Sequence, residues 1–469
     1  MRASITLVAL ATLAACTPTA GAGRGTTAQL SCPRELPGPP LLPLARPEHL
    51  LAGFWLERAP EPERALLDTE AIEAHNRRVE QLTVANAIVA RVDLSSFAET
   101  FPRERIAADI ARLDKAIAEG KRVLRDGRRP KTLVDQLRAR LAATKAVANE
   151  LRVALRGAPL RCYPEPRGLY ESRRDLAFDL AQCAELRFGE AVRVLGRGPR
   201  YSYVQAAYGG GWVRSEVLSA ALDSAQTQAY LKPSRPARVI ADRVGVWSAK
   251  RGGKLLGIAR LGLLLPLAAQ GEGAPPRDSV EVHVPSAKGL TKGWIRDRRA
   301  LAFADEPLSR RALWQRAFQL LHTPYGWGGV GGKRDCSRLL MDVFASFGVR
   351  LPRNSRQQSK AGTEQIDVSK LDEAKKRAAI EAAGRRGIVV LYLPGHIMLY
   401  LGRDGEHLYA LHQFSGYLTP CVGGGETMHR VNRTAVTALE LGRGSSRRAF
   451  IERITRLVLF APPAAPRPR

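Results

Sequence analysis

A cysteine stands between Asp335 and Ser337, at the end of Thr323-Pro-Tyr-Gly-Trp-Gly-Gly-Val-Gly-Gly-Lys-Arg-Asp-Cys-Ser-Arg338. It follows a glycine-rich, tryptophan-bearing loop and opens an apolar run, Leu339-Leu-Met-Asp-Val-Phe-Ala-Ser-Phe347. A histidine lies downstream in Pro394-Gly-His-Ile-Met-Leu-Tyr400. A thiol nucleophile and its base are commonly apart in sequence and meet in the fold. The thiolate is the attacking species, and its pKa falls at a helix N-terminus or beside an imidazolium. The glycines exclude a helix before Arg334, whereas Ser337 onward can be helical. Cys336 is therefore expected in a first helical turn, where the macrodipole and free N–H groups favour an anion. Those N–H groups can also hold the oxyanion of a tetrahedral intermediate. His396 would take the thiol proton and later pass one to a leaving amine. This chemistry is that of a cysteine hydrolase.

A third group should orient His396. The segments His396–Gly402 and Glu406–His412 flank Arg403-Asp-Gly405. A three-residue loop with Gly405 in the left-handed region would face Gly402 with Glu406 and His396 with His412. A two-residue Asp404-Gly405 turn would place Gln413 there instead. His412 is the favoured partner. His322 and His407 lack a comparable setting and read as structural or exposed.

The elements around these residues are an α+β arrangement, helices first and strands later, over residues 306–469. An amphipathic helix is expected from Ser309 to His322, then the nucleophile helix. Strands are expected at Gly387–Leu393, His396–Leu401 and His407–His412. Upstream, residues 160–222 and 229–302 carry short period-two segments with glycine turns, such as Ala191-Val-Arg-Val-Leu-Gly196 and Tyr201-Ser-Tyr-Val-Gln-Ala-Ala-Tyr208. Both regions end on related segments, Gly211-Trp-Val-Arg214 and Gly293-Trp-Ile-Arg296. They read as two small β-barrels. Residues 103–157 show apolar residues at helical spacing, broken at Asp126-Gly-Arg-Arg-Pro130, and read as a helical hairpin with a packing role. Asp68-Thr-Glu-Ala-Ile-Glu73 supplies an N-cap and an acidic first turn, so a helix should begin there.

The chain of 469 residues is long enough for several domains. Arg2, the apolar run from Ile5 and Leu13-Ala-Ala-Cys16 form a signal peptide too short to remain as a span. Cys16 after small residues is similar to a bacterial lipoprotein box. That likeness implies cleavage before Cys16 and lipidation of its thiol. Thr17 is not the Asp of inner-membrane retention, so the periplasmic face of the outer membrane is the expected address. Residues 17–46, rich in Gly, Pro, Thr and Ala, read as a flexible tether. The formal charge of +28 is scattered rather than blocked. An exported protein rarely meets nucleic acid, so the charge reads either as a general Arg-rich composition or as weak adhesion to an anionic envelope. Of the other cysteines, Cys32, Cys162, Cys183 and Cys421, export permits disulfides, and Cys162 with Cys183 is the expected pair. No cysteine spacing resembles a zinc site.

Four ordered motifs narrow the class: Pro324-Tyr-Gly-Trp-Gly-Gly329, Asp335-Cys-Ser337, Leu351-Pro-Arg-Asn-Ser355 with Gln357-Gln358, and Gly395-His-Ile-Met-Leu-Tyr-Leu-Gly402. Together they resemble the NlpC/P60 family of cell-wall cysteine peptidases. Gly-Trp-Val at residues 211–213 resembles the closing segment of bacterial SH3 domains. Phe54–Val79 is similar to the N-terminal clip of the subgroup that carries two such domains. The resemblance implies a papain-like fold and cleavage between γ-D-glutamate and a diamino acid, usually diaminopimelate, in peptidoglycan stem peptides or muropeptides. It implies Cys336 as nucleophile, His396 as base and His412 as third polar residue. Asp335 and Ser337 match substrate-contacting positions, Asp335 as a holder of a free amine. Tyr325 and Trp327 match the loop that shapes the cleft. No metal or organic cofactor is required, and a monomer is expected. Arg338 departs from the family pattern, where a small residue is usual. An outward, solvent-facing Arg338 is the expectation; an inward one would block the cleft or favour an acidic substrate. A non-catalytic wall-binding lipoprotein and an amidase or acyltransferase on the same fold are the rival readings.

Overall fold

The computed structural model describes residues 32–84, 88–89, 91–172, 175–268 and 278–462. The expected signal peptide and Cys16 lie outside these residues. The chain enters as an extended segment rather than a loose tether. Glu35–Pro37 pairs in parallel with Glu426–Ala438, Glu35 facing Met428 and Pro37 facing Arg430. Cys32 is disulfide-bonded to Cys421. The expected flexible tether therefore fails for residues 32–46, because the far end of the chain holds them by ladder, disulfide and the Arg46–Asp404 ion pair.

Next come a short helix, Ala52–Leu56, and the expected helix Thr69–Gln81, whose N-cap Asp68 accepts from the Ala71 N–H. Trp55 is buried against His49 and Tyr409, so this segment also packs on the C-terminal sheet. The backbone N–H of Leu66 donates to Leu308, and that of Leu308 returns to Leu67.

The helical hairpin is shorter than expected. Helices Arg103–Ala118 and Leu133–Ala142 form it, and Lys145–Val153 is a strand. Val147 and Leu151, four apart, fit either period, since residues four apart share a face in a strand as well as in a helix. The two helices bury Ile110, Leu113 and Leu137 against Tyr203 and Trp212 of the neighbouring sheet.

That sheet is antiparallel and six-stranded. Its spatial order is Lys145–Val153, Ala191–Arg197, Tyr201–Ala206, Gly209–Arg214, Ala158–Arg161 and Gln182–Leu186. The Cys162–Cys183 disulfide forms within it as expected. A four-stranded sheet with Val244–Trp247 and Gly289–Ile295 at its centre follows, beside a three-stranded one centred on Pro236–Val239. Among the described residues neither region closes its ladder into a barrel. The six-stranded sheet keeps two edges, Lys145–Val153 and Gln182–Leu186, and the second region divides between two sheets.

The last region is a seven-stranded sheet. Its order is Glu35–Pro37, Glu426–Ala438, His407–Pro420, His396–Asp404, Ile388–Leu393, Arg456–Phe460 and Glu364–Asp367. Cys336–Ala345 packs on one face: Leu339, Val343 and Phe344 join Leu399, Leu411 and Phe460 in the largest apolar cluster. Helix Glu373–Arg386 covers the other face through Ile380 and Ala383.

Candidate active site

Cys336 is the first residue of its helix, and Asp335 is the N-cap. The loop before it runs through Gly328, Gly329, Gly331 and Gly332, all at positive φ between 64° and 85°. That backbone favours glycine. Gly328 also presses on the six-stranded sheet, where an added Cβ would come within 2.5 Å of the Gln182 side chain. The Gly332 N–H donates to Glu185 Oε1 at 2.7 Å. The loop is thus moulded on strand Gln182–Leu186, and Cys336 inherits its position from that contact.

Asp335 is fully engaged. Its Oδ1 accepts from the Arg338 N–H at 2.8 Å, Ser337 Oγ at 3.1 Å and Arg353 Nη1 at 3.0 Å. Its Oδ2 accepts from Arg353 Nη2 at 2.7 Å and the Gly328 N–H at 3.1 Å. Burial alone would raise this carboxyl, but Arg353, the helix N–H and Ser337 outweigh it and hold the pKa below its ordinary value. An amine-holding role for Asp335 meets this inventory: its oxygens already serve the loop, the helix and Arg353. Arg353 lies inside the Leu351–Ser355 motif, yet its pairing with Asp335 was not read from sequence.

His396 Nε2 lies 2.7 Å from His412 Nδ1, and His412 Nε2 lies 2.9 Å from Thr437 Oγ1. One pair of tautomers satisfies both contacts and leaves His396 Nδ1 as a free acceptor. In it His396 Nε2–H donates to His412, and His412 Nε2–H donates to Thr437. Such a chain fixes the ring that faces the cleft. His412 is wholly buried and stacks on Phe414 at 4.3 Å.

The partner is the expected one, but the hairpin count behind it is not. Asp404 faces His407, leaving Gly405-Glu406 as the turn, and a bulge falls between Tyr400 and Gly402. Beyond the bulge Leu399 faces Leu411. His396 and His412 are therefore diagonal neighbours on one face rather than directly opposed. Diagonal pairs of long side chains remain within reach. Gln413 is engaged elsewhere, accepting from Thr434 and donating to the Thr323 carbonyl.

Cys336 and His396 line one cleft of about 510 Å³, together with Tyr325, Trp327, Asp335 and Ser337. Phe178, from the N-terminal side, packs edge-on to Trp327 at 5.1 Å and was missed in the sequence. Burial pushes the Cys336 thiol up to about 12, and the Asp335 charge adds to it. The N–H groups of Ile397 and Ser337 and the Arg353 charge act in the opposite sense. The lowered thiol pKa expected from the helix end is thus outweighed in the resting site. Burial also pushes His396 down to about 3, aided by the nearby Arg453. The resting pair is a neutral thiol and a neutral imidazole. In such a pair, transfer of the thiol proton to the imidazole would accompany attack on a carbonyl rather than precede it. Among the described residues no group of three or more His, Cys, Asp or Glu is arranged to hold a metal.

Arg338 points neither into the cleft nor to solvent. It is buried and pairs with Glu190 and Asp342, the latter at 2.8 Å. Asp342 also takes Arg187 and Arg334, and Arg334 continues to Asp242, which pairs with Arg260. The outward expectation failed because the helix face bearing Arg338 is covered by the neighbouring sheets. Glu190 and Asp242 there supply the counter-charges.

Residues 322–437 match the model of the NlpC/P60 family. This segment is similar to NlpC/P60 domains. Over 120 residues the chain is 28% identical to the gamma-D-glutamyl-L-lysine dipeptidyl-peptidase of Bacillus subtilis (strain 168). The match covers 25% of this chain and 40% of that relative's length. A solved NlpC/P60 endopeptidase from Photobacterium damselae subsp. piscicida superposes with a TM-score of 0.66 at 15% identity. That match covers 85% of this chain and 95% of the other, so the fold likeness extends well beyond the NlpC/P60 segment.

Proposed function

We propose that this protein is a cysteine peptidase of the cell wall that hydrolyses the bond between γ-D-glutamate and a diamino acid in peptidoglycan stem peptides. One observation carries the reading. Cys336 at a helix N-terminus shares a cleft with a histidine whose far nitrogen is held by a second histidine. The name of the Bacillus subtilis relative supports the γ-D-glutamyl half of the bond.

In this reading Cys336 Sγ attacks the γ-carbonyl as its proton passes to His396 Nδ1. The oxyanion is met by N–H groups at the helix end. The tetrahedral species collapses to a thioester, and the leaving amine departs with the proton from His396. Water, deprotonated by His396, then attacks the thioester and releases the acid and the thiol. His412 and Thr437 keep the His396 ring in the required tautomer. Tyr325 and Trp327 shape the acyl end of the cleft, and Ser337 helps fix Asp335. We further read the protein as anchored through a lipid on Cys16 at the periplasmic face of the outer membrane. The two sheet regions before the NlpC/P60 domain would act as SH3-like modules beside the cleft.

Incubation of the full chain with L-Ala-γ-D-Glu-diaminopimelate, followed by mass, tests the central claim. The expected products are L-Ala-γ-D-Glu and free diaminopimelate, with at least a thousandfold loss in Cys336→Ala. Sacculus binding without cleavage would replace the reading with a wall-binding role. Transfer of the acyl group to an added amine would make the protein an acyltransferase.

A further inference from the structure

Among the described residues, three arginines at the cleft have no carboxylate in an ion pair with them. Arg447, Arg448 and Arg453 line its wall beyond the end of the NlpC/P60 match at residue 437. None takes part in an ion pair, whereas Arg353 on the cysteine side is bidentate to Asp335. The carboxylates nearest the trio are otherwise used. Glu452 Oε2 accepts from the Ala449 N–H at 2.6 Å, and Glu426 accepts from the N–H and hydroxyl of Ser446. Arg453 lies over the Phe450 ring, 5.0 Å from its centre, and its Nε is buried with no partner. A guanidinium donor without a protein partner remains available to an acceptor that enters the cleft. Burial, then the charges of Arg447 and Arg448, lowers the Arg453 pKa, so the three guanidiniums crowd one another.

Their position fixes which half of a substrate they meet. Phe450 lies against the His396 ring, with centroids 5.8 Å apart, and Arg453 acts on the charge of both His396 and His412. The leaving amine collects its proton from His396, so the diamino acid departs past these arginines. Both leaving groups carry an α-carboxylate, but the side chain of a lysine ends in a bare ammonium that would face three guanidiniums. Diaminopimelate carries a carboxylate beside its distal ammonium and would supply the missing counter-charge. Arginine is well suited to grip a carboxylate with two parallel bonds.

We propose that Arg447, Arg448 and Arg453 form a carboxylate subsite that selects diaminopimelate over lysine in the leaving group. This rests on the proposed peptidase reading, and it concerns residues outside the family-matching segment.

Binding and turnover test it separately. In the full-length Cys336→Ala protein, calorimetry with L-Ala-γ-D-Glu-diaminopimelate and L-Ala-γ-D-Glu-L-Lys should show at least about tenfold tighter binding of the former. The pair Arg447→Gln and Arg448→Asn should remove most of that preference. Both positions are exposed, and Asn tolerates the left-handed backbone of residue 448, whose φ is 59°. Arg447→Glu should turn the preference toward lysine. In the active protein, the ratio of kcat/KM values for the two peptides should fall by a similar factor in the paired variant. Equal binding of both peptides, or equal losses for both in the variants, overturns the subsite. A binding preference without turnover in the wild type would sink the peptidase reading and leave the subsite standing.

Discussion

At the residue scale the site is a neutral pair, each member half-buried on the wall of one cleft. With His396 pushed down to about 3 by burial and by Arg453, its imidazole stays unprotonated far below the ordinary histidine range. The acid limb of kcat/KM should therefore lie well under pH 6.5, the unperturbed histidine value. Arg453→Gln removes a cation that disfavours imidazolium, so the His396 pKa rises and the acid limb moves to higher pH. A pH–rate profile of this variant checks the sign, and a limb that stays put or moves down would refute the electrostatic role of Arg453. Cys336, His396 and His412 were legible because their types and surroundings are specific. The His396–His412 pair was reached through a wrong loop count. It survived because one strand face offers both direct and diagonal neighbours, so an error of two residues in register leaves the pair in reach. Arg338 was not legible. Whether a helix face meets solvent or another domain is decided by packing that local sequence does not carry.

At the element scale the nucleophile helix is fixed by charge as much as by its apolar face. Asp342 holds Arg187, Arg334 and Arg338, and the connected network sets four guanidiniums, with Arg260, against three carboxylates, with Asp242 and Glu190. Removing a carboxylate from a buried network strands its partners, typically at a cost of about 3–5 kcal/mol. Asp342→Asn should therefore destabilise strongly in chemical denaturation, or prevent folding. Arg338→Met should cost less, because it removes the surplus positive charge and keeps apolar bulk. The opposite order of the two variants would show that the network is not charge-limited. Burial would raise the Asp342 carboxyl, but the three arginines outweigh it and hold the pKa far below 3.8 in the fold. Its contribution is present above the unfolded value and lost as pH falls through that value toward the folded one. The same scale shows why the hairpin was overextended: Val147 and Leu151 satisfy both periods, and a bulge between Ala146 and Glu150 interrupts the alternation that would have marked a strand.

At the scale of the whole molecule, the first described residues are bound to the last domain. The Cys32–Cys421 link spans 389 positions, a separation that no local pattern could reveal. Disulfides that close long loops typically contribute about 2–4 kcal/mol. The double variant Cys32→Ser with Cys421→Ser should unfold at lower denaturant concentration, with peptidase turnover at low temperature largely retained because Cys336 is untouched. An unchanged midpoint would mean that the ladder and the Arg46–Asp404 contact suffice alone.

That short entering strand has another consequence. Glu35–Pro37 covers part of the thirteen-residue strand Glu426–Ala438, which would otherwise end the seven-stranded sheet as a long open edge. Open edges of that length recruit strands from other chains, and short strands bearing proline are a common guard against it. The disulfide then acts as a latch on a solubility device. Under reducing conditions the freed edge would make the protein prone to self-association before it became inactive.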